Sequence, residues 1–282
     1  MKDANLTLKS GPSHRSEIVI GRGITVGGND LLIVGGPCTV EDSHQMEQVA
    51  TRLLTAPVQA LRGGVYKPRT SPYSFQGLGP AGLVIRSDMR RRFDIPVISE
   101  VMAIDQIPAL ATHVDGLQVG SRNMQNFDLL KALGAIDKPV LLKRGLAATL
   151  EEFVMAAEYV MSHGNPNVVL CERGIRSFDT YTRNVLDLGA VVALKQLTHL
   201  PVIVDPSHAA GKRELVPDLA RAAIAAGADG LIIECHPTPE QSVSDARQAL
   251  SLEDMVDLVD TLRPIAAAVG RSIPQTLQPA LV

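Results

Sequence analysis

Several features that would assign this chain of 282 residues to a special class of protein are missing from its sequence. No apolar run approaches the ~18 residues of a membrane span, and the first fifteen residues lack the apolar segment of a secretory signal. The 27 Lys and Arg residues do not outnumber the 30 Asp and Glu residues, which argues against a nucleic-acid-binding surface. Three cysteines far apart in sequence form no disulfide framework and suit a reducing compartment. We therefore expect a soluble cytoplasmic protein that binds neither membranes nor nucleic acid.

The sequence does contain a repeated alternation of short apolar runs with longer segments of helical spacing. Eight runs are present, at 31–34, 58–61, 96–101, 116–119, 139–142, 167–171, 201–204 and 230–233. Helix candidates include 41–54, 149–162, 184–197, 215–226 and 252–269. Apolar strands that alternate with helices predict a parallel sheet buried on both faces. Eight units in ~250 residues fit an α/β fold of the (β/α)8 TIM barrel type better than a doubly wound sheet.

A short segment before the barrel has its own pattern. Residues 17–26 read EIVIGRGITV, and two alternating runs around a glycine turn predict a β-hairpin. We expect this hairpin to close the end of the barrel opposite the catalytic mouth. The predicted organisation is an N-terminal segment with the hairpin (1–30), a catalytic barrel (31–270) and a C-terminal tail (271–282).

Polar side chains follow every predicted strand, where barrel enzymes carry their chemistry. The cations among them are Arg62, Lys67, Arg69, Arg122, Lys143 and Arg173. Their excess over nearby acids favours binding of more than one anionic group, because guanidinium groups suit phosphate and carboxylate. Thr70 and Ser71 add hydroxyl donors, and the prolines of the KPRTSP loop hold it open rather than helical. Pairing of each cation with a neighbouring carboxylate is the alternative interpretation.

A second group of strand-end residues offers metal ligands: Cys38, His208, Glu234 and Asp245. Their spacing matches no short metal motif, but closure of the barrel sets strand eight beside strand one and brings Glu234 near Cys38. A thiolate, an imidazole and carboxylates together favour Mn, Fe, Co or Zn over Mg or Ca. The alternatives are a buried packing role for Cys38, or its oxidation to a disulfide with Cys235, although strand pleating points Cys235 away.

Long segments at all eight strand ends resemble 3-deoxy-D-arabino-heptulosonate 7-phosphate synthase, in the compact form of its type I family. The resemblance runs from about residue 35 to residue 252. Its motifs are GPC (36–38), LRGGVYKPRTSPYSFQGLG (61–79), SEVM (99–102), QVGSRNMQN (118–126), LLKRG (141–145), LCERGIRSF (170–178), VDPSHAAGKR (204–213) and IIECHP (232–237).

This resemblance implies a reaction and a role for each candidate residue. The family condenses phosphoenolpyruvate with erythrose 4-phosphate, releases phosphate and uses a divalent metal, in the first step of the shikimate pathway. The implied metal ligands are Cys38, His208, Glu234 and Asp245. Phosphoenolpyruvate would bind Arg62, Lys67, Arg122, Lys143 and Arg173, and the aldose phosphate would bind Arg69, Thr70 and Ser71.

The implied mechanism forms a carbon–carbon bond and then expels phosphate. The metal polarises the aldehyde, C3 of phosphoenolpyruvate attacks it, and water adds to C2 before phosphate leaves. The catalytic residues would be Lys67 as the acid for the nascent alkoxide, Glu100 for the water, and His208 as a ligand.

The sequence also departs from the family pattern. A glycine-containing stretch usually follows the last ligand, but Ala246 and Arg247 follow Asp245 here. Only about thirty residues precede the first strand, so we expect no built-in feedback module, while a partner protein could supply regulation. The family tends to form dimers or tetramers, which implies a homodimer or homotetramer here.

Two other functions compete with this interpretation. The related 3-deoxy-D-manno-octulosonate 8-phosphate synthase uses arabinose 5-phosphate, but its loop typically reads KANRS where this chain has KPRTS. A non-catalytic barrel that binds sugar phosphates is the second alternative, because a fold with its binding residues does not by itself establish turnover.

Overall fold

The computed structural model describes residues 3–275, which form a closed barrel of eight parallel strands preceded by a two-stranded antiparallel hairpin. The hairpin strands are β1 (Ile18–Gly21) and β2 (Ile24–Val26). The barrel strands are β3 (Leu32–Gly36), β4 (Ala60–Arg62), β5 (Val97–Val101), β6 (Gly116–Val119), β7 (Val140–Lys143), β8 (Val168–Glu172), β9 (Val202–Val204) and β10 (Gly230–Glu234). The predicted fold class, a (β/α)8 barrel with an N-terminal hairpin, is therefore confirmed.

Helices alternate with these strands along the chain. They are α1 (Ser43–Leu53), α2 (Pro80–Arg92), α3 (Ile107–His113), α4 (Phe127–Gly134), α5 (Leu150–Ser162), α6 (Leu188–Leu197), α7 (Pro206–Ala210), α8 (Val216–Ala225) and α9 (Leu252–Ala268). The α6 helix begins four residues later than predicted. Val185 pairs instead with Ile175 in an antiparallel bridge, and the Asp187 side chain caps the helix by accepting from Ala190 N–H.

The barrel closes where β10 pairs in parallel with β3. In that register Glu234 lies opposite Gly36, two residues before Cys38. Gly36 has φ +135°, and a Cβ at this position would lie 2.5 Å from the Arg62 carbonyl oxygen, so only glycine fits there. The first and last strands therefore deliver a thiol and a carboxylate to the same edge of the barrel.

Each barrel strand is buried on both faces, as parallel sheets require. One face packs inside the barrel and the other packs against the helices. The inward face includes Val34, Ile98 and Ile232, while Ile33 and Val97 belong to the outer layer. This double burial explains why the strand sequences are continuous apolar runs.

The hairpin covers the amino-terminal end of the barrel. Ile18, Ile20 and Val26 pack with the inward-facing strand residues, and Ile20 lines a small apolar space with Gly116 and Pro139 from the starts of β6 and β7. The opposite end of the barrel therefore stays open, as expected.

Two further features concern the chain as a whole. Among residues 3–275, no helix combines the length and apolar character that a membrane crossing requires.

The division into segments 1–30, 31–270 and 271–282 stays a prediction, and residues 276–282 of the tail lie outside the described residues.

Candidate active site

The carboxyl ends of the strands surround one polar cavity of about 490 Å³. Its lining contains most residues that the sequence predicts as functional: Arg62, Lys67, Arg69, Thr70, Ser71, Glu100, Arg122, Lys143, Arg173, His208 and Asp245. Cys38 and Glu234 lie at its floor, where Cys38 contacts Asp245 and Lys67, and Glu234 contacts His208 and Arg62. The structure thus brings all thirteen predicted site residues together.

Another open cavity, of about 390 Å³, lies at the amino-terminal end of the barrel. None of the predicted site residues lines it. The buried carboxylate beside it, Asp229, is already paired with Lys195 at 2.5 Å and Arg271 at 3.1 Å. The grouping of nucleophilic and metal-ligating side chains therefore identifies the carboxyl end as the candidate active site.

Four potential metal ligands converge at the floor of this cavity. The ligand atoms of Cys38, His208, Glu234 and Asp245 all lie within 4.8 Å of one another. Cys38 Sγ lies 3.0 Å from Asp245 Oδ2, and His208 Nε2 lies 3.3 Å from Glu234 Oε1. Glu234 Oε1 is buried and receives no well-directed hydrogen bond, although Arg62 lies 3.1 Å away. A buried carboxylate oxygen that lacks a well-directed hydrogen bond, with a sulfur and a nitrogen nearby, fits a transition-metal site.

Asp205 orients the histidine of this group. Its carboxylate accepts from the His208 backbone N–H at 2.9 Å and contacts His208 Nδ1 at 2.7 Å, so Nε2 is the nitrogen that faces the ligand group. Burial alone would raise the pKa of Asp205, but the neighbouring His208 and Lys143 hold that pKa well below its ordinary range. Burial lowers the pKa of His208 to about 4, which keeps the imidazole neutral near pH 7. A neutral imidazole is the form that binds metals.

The protonation of Cys38 depends on what the site holds. Burial, with a smaller contribution from Glu234, raises the pKa of the Cys38 thiol to about 12. The Lys67 ammonium donates to Cys38 Sγ and lies 3.2 Å from Asp245 Oδ2. A metal ion bound to Cys38 would displace the proton of this thiol, so metal binding at this site would release a proton.

The walls of the cavity carry an excess of positive charge. Within residues 3–275, the side chains of Arg69, Arg122, Arg173 and Arg176 form no ion pair. The buried Arg62 Nε and Nη1 atoms have no hydrogen-bond partner in the same part of the chain. Buried N–H donors of a guanidinium are costly to leave unpaired, so they fit an anionic ligand such as a phosphate or a carboxylate.

The KPRTSP loop forms one side of the cavity mouth. Lys67 N–H donates to Gln76 O at 2.9 Å, Arg69 Nε donates to Phe75 O at 2.9 Å, and Gly79 N–H donates to Val65 O at 2.8 Å. These bonds close the loop on itself. They keep Lys67 buried at the base of the loop, while Thr70 and Ser71 stay exposed at the rim.

Several residues of this site received no role from the sequence. Gln118, Arg176, Arg183 and Asn184 line the cavity, and Gln248 donates to Glu234 at its floor. Arg176 lies within the LCERGIRSF segment, which could have indicated it. Gln248 follows Asp245 by three residues, and nothing in that spacing indicates its contact with Glu234.

The predicted geometry of Cys235 is confirmed. Its side chain packs in the outer layer, between barrel and helices, while Cys38 lies in the cavity. Cys38, Cys171 and Cys235 are all free thiols in the structure.

Comparison with known proteins gives consistent matches. A family described as the DAHP synthetase I family matches residues 9–268. A Phospho-2-dehydro-3-deoxyheptonate aldolase of Thermotoga maritima is 46% identical over 258 residues, which cover 91% of this chain and 76% of that protein. A 2-dehydro-3-deoxyphosphooctonate aldolase of Desulfosudis oleivorans is 32% identical over 260 residues, covering 86% of this chain and 92% of that protein.

Two solved structures from Thermotoga maritima are also similar. The crystal structure of a Phospho-2-dehydro-3-deoxyheptonate aldolase (DAHP synthase) matches with a TM-score of 0.92 and 42% identity, over 97% of this chain and 80% of that one. A truncated form of 3-deoxy-D-arabino-heptulosonate 7-phosphate synthase matches with a TM-score of 0.88 and 40% identity, over 95% and 98% of the two chains.

Proposed function

The chain belongs to the DAHP synthetase I family, and from that premise we propose that it condenses phosphoenolpyruvate with erythrose 4-phosphate. The products are 3-deoxy-D-arabino-heptulosonate 7-phosphate and inorganic phosphate, as in the first step of the shikimate pathway. The observation that carries the proposal is the contact between a four-ligand group and a cavity lined with cations. The reaction joins two phosphorylated substrates at an aldehyde, so it needs cations that bind the phosphates and a metal ion that polarises the aldehyde.

Phosphoenolpyruvate binds deep in the cavity. Arg62, with its two buried unpaired nitrogens, takes one anionic group. Lys143 lies close to Arg62, because both side chains contact Asp205. Lys143 is paired with the Asp205 carboxylate, and Arg62 Nη1 lies 3.9 Å from Asp205 Oδ2. The remaining cations of this site are Lys67, Arg122 and Arg173. Phosphoenolpyruvate carries a phosphate and a carboxylate, so several fixed guanidinium groups hold it in a single orientation.

The phosphate of erythrose 4-phosphate binds at the rim. Arg69 supplies a guanidinium group that no carboxylate neutralises within the described residues, and Thr70 and Ser71 supply hydroxyl donors. The loop is closed by its own hydrogen bonds, so these donors need little ordering when the sugar arrives. The aldehyde end then points down toward the four-ligand group.

A divalent metal fits the ligand group of Cys38, His208, Glu234 and Asp245. The mixed sulfur, nitrogen and oxygen donors favour Mn, Fe, Co or Zn. When bound, such an ion supplies Lewis-acid polarisation of the aldehyde oxygen.

The protein residues handle the protons of the reaction. C3 of phosphoenolpyruvate bonds to the aldehyde carbon, and the alkoxide that forms takes a proton from Lys67. Burial alone would lower the pKa of Lys67, but Cys38 in its thiolate form and the Asp245 carboxylate outweigh this effect and raise that pKa, so the amine is protonated before the reaction. The proton donor is therefore in place at the floor of the cavity.

Glu100 accepts a proton from the water that adds to C2. Burial raises the pKa of this carboxyl despite nearby Lys67, which makes it a better proton acceptor than an exposed glutamate. A Cβ at Gly120 would lie 2.1 Å from Glu100 Oε1, so any other residue there would displace the Glu100 carboxylate. The water oxygen bonds to C2 and its first proton moves to Glu100. The bond between C2 and the phosphate oxygen then breaks while the remaining hydroxyl proton moves to the departing phosphate, which leaves a ketone at C2.

The alternative aldose is arabinose 5-phosphate. The relatives named 2-dehydro-3-deoxyphosphooctonate aldolase are 31–34% identical to this chain, against 46% for the heptonate relative. The KPRTS loop also differs from the KANRS loop typical of the octulosonate enzymes. Both observations favour the four-carbon aldose.

The test is an assay of phosphate release from phosphoenolpyruvate by chelator-treated protein, with and without added Mn²⁺. Erythrose 4-phosphate and arabinose 5-phosphate are compared as the second substrate. We expect metal-dependent release with erythrose 4-phosphate alone. Release with arabinose 5-phosphate alone would assign the octulosonate reaction, and release with neither sugar would favour a non-catalytic barrel.

A further inference from the structure

In His208, Glu234 and Asp245, the polar atom that faces away from the other ligands is held by a residue outside the ligand group. His208 Nδ1 contacts Asp205 Oδ2 at 2.7 Å. Glu234 Oε2 accepts a hydrogen bond from Gln248 Nε2 at 2.6 Å, and Asp245 Oδ1 accepts one from Arg183 Nη1 at 3.0 Å. The other atoms face the ligand group: His208 Nε2 lies 3.3 Å from Glu234 Oε1, and Asp245 Oδ2 lies 3.0 Å from Cys38 Sγ. The cavity cations Arg62 and Lys67 also approach these two oxygens, at 3.1 and 3.2 Å.

Arg183 and Gln248 are themselves joined. Arg183 Nη1 donates to Gln248 Oε1 at 3.1 Å as well as to Asp245 Oδ1. Because that contact occupies the amide oxygen of Gln248, its NH₂ group is the one that points at Glu234. One guanidinium therefore fixes Asp245 directly and Glu234 through the amide.

The backbone explains why this contact forms. Asp245 has φ +54°, a left-handed conformation that non-glycine residues seldom adopt. The turn that follows it is closed by Gln248 N–H donating to Asp245 O at 3.0 Å, which brings the amide back beneath the barrel end. The Gln248 side chain is only 2% exposed, so the bond is shielded from water.

Arg183 reaches this turn from another loop. Its backbone N–H donates to Ala210 O at 3.0 Å, and the next residue, Asn184, donates through Nδ2 to His208 O at 3.0 Å. The loop after β8 is thus attached to the helix that carries His208. The loop after β8, the loop after β10 and helix α7 are therefore joined around the Arg183–Gln248 pair.

We propose that Arg183 and Gln248 are positioning residues that restrict Asp245 and Glu234 to one ligand oxygen each. On this proposal both residues act through Asp245 and Glu234, and not on a reacting atom. A carboxylate free to rotate can offer two oxygens to a cation, whereas one with its outer oxygen hydrogen-bonded offers a single oxygen at a fixed place. The pair therefore keeps coordination positions free for substrate.

This inference rests on the metal-dependent function proposed above, but it is tested on metal binding and not on turnover. The full chain is stripped with a chelator, and Mn²⁺ affinity is measured from the electron paramagnetic resonance signal of the free ion. Gln248→Met keeps a side chain of similar length without the amide. We expect this variant to bind Mn²⁺ about 10–100-fold more weakly, which is typical for loss of an outer partner of a ligand.

Arg183→Gln is the second variant, and Arg247→Gln is the matched control. The Arg247 side chain is exposed and forms no ion pair in the described part of the chain. We expect weaker Mn²⁺ binding for Arg183→Gln and unchanged binding for Arg247→Gln. The visible absorption bands of bound Co²⁺ should shift in the first two variants only, because they report ligand geometry.

A purely structural role predicts a different pattern. It would lower the melting temperature of the metal-free Gln248→Met variant and leave the Mn²⁺ affinity and the Co²⁺ bands at wild-type values, and this result would overturn the proposal. Failure of the wild-type chain to bind Mn²⁺ or Co²⁺ would overturn it as well. A wild-type chain that binds metal but makes no product would contradict the proposed function alone.

Discussion

On the proposed function, different residues of the cavity bind the two substrates. Arg62 has unpaired buried nitrogens at the floor, while Arg69 is held at the rim by the carbonyl oxygens of Phe75 and Val243. The two guanidinium groups therefore face different depths of the same cavity. On the proposed function, the loss of one should affect one substrate more than the other.

Arg69→Ala tests this division. Loss of a hydrogen bond to a charged group costs about 1.5–3 kcal/mol, which corresponds to roughly a 10–100-fold change. We expect KM for erythrose 4-phosphate to rise by about that factor, while KM for phosphoenolpyruvate stays near the wild-type value. Steady-state kinetics with each substrate varied in turn gives both constants.

Arg91→Ala is the control, because the Arg91 side chain is 80% exposed and lies on helix α2. It should leave both constants unchanged. A rise in KM for phosphoenolpyruvate in Arg69→Ala would contradict the assignment of the rim to the aldose phosphate.

The sequence indicates residues of this cavity when their chemical type and their position at a strand end suffice. Cys38, Arg62, Lys143 and Glu234 could be predicted in this way. Residues that act through another residue could not be predicted. Gln248 meets Glu234 only because the chain turns at Asp245 in a left-handed conformation, and no local pattern encodes that turn.

Among the elements, the strands were easier to predict than the helix boundaries. Burial on both faces makes each strand a continuous apolar run, and Gly116–Val119 coincides with its predicted range. The start of α6 was predicted wrongly, because the Asn184 and Val185 N–H groups bond to Ala209 and Ile175 carbonyl oxygens instead of joining a helix. Such tertiary hydrogen bonds leave no periodic signal.

The hairpin is the element whose contribution to stability is most easily isolated. Ile20 packs inside the amino-terminal end of the barrel, whereas neighbouring Val19 is 56% exposed. Ile20→Ala should lower the free energy of unfolding by about 2–5 kcal/mol, and Val19→Ala should change it by less than about 0.5 kcal/mol. Urea denaturation measures both values.

The loss of stability in Ile20→Ala should not be accompanied by a change in KM. The hairpin closes the end opposite the cavity, so KM for both substrates should stay at wild-type values in the folded Ile20→Ala protein. Equal stability losses in the two variants would show that the hairpin does not pack into the barrel as described.

At the scale of the whole molecule, charge is distributed unevenly. The chain has a formal net charge of −3, yet eight cations line its cavity, against the lining carboxylates Glu100 and Asp245 and the Glu234 carboxylate at its floor. Assembly into two or four copies and regulation by a partner protein stay predictions from the family resemblance.

The N-terminal segment is attached across the outside of the barrel. Glu158 of α5 accepts hydrogen bonds from the backbone N–H groups of Asn5, Leu6 and Thr7 at 2.8–3.1 Å. Burial alone would raise the pKa of Glu158, but these donors outweigh it and lower that pKa below its ordinary value. The ionised carboxylate therefore stabilises the folded chain.

This attachment predicts a pH dependence. A carboxyl whose pKa is lower in the folded chain than the unfolded value of about 4.3 adds stability above that value. The contribution is lost as the pH falls through the folded pKa. Glu158→Gln should be less stable than the wild type by about 1–3 kcal/mol at pH 7.

The stability difference should shrink as the pH is lowered below about 4. Urea denaturation of both proteins at pH 7 and at pH 3.5 provides the comparison. A difference that stays the same at both values would exclude the ionised Glu158 as its source.

The central claim is that this barrel joins two phosphorylated substrates at its carboxyl end and cleaves a carbon–oxygen bond. The most direct measurement uses phosphoenolpyruvate that carries ¹⁸O between C2 and phosphorus, incubated with erythrose 4-phosphate and the Mn²⁺-loaded protein. Mass spectrometry should detect a seven-carbon phosphorylated product and ¹⁸O in the released inorganic phosphate. Unlabelled phosphate, or phosphate without the seven-carbon product, would contradict the account.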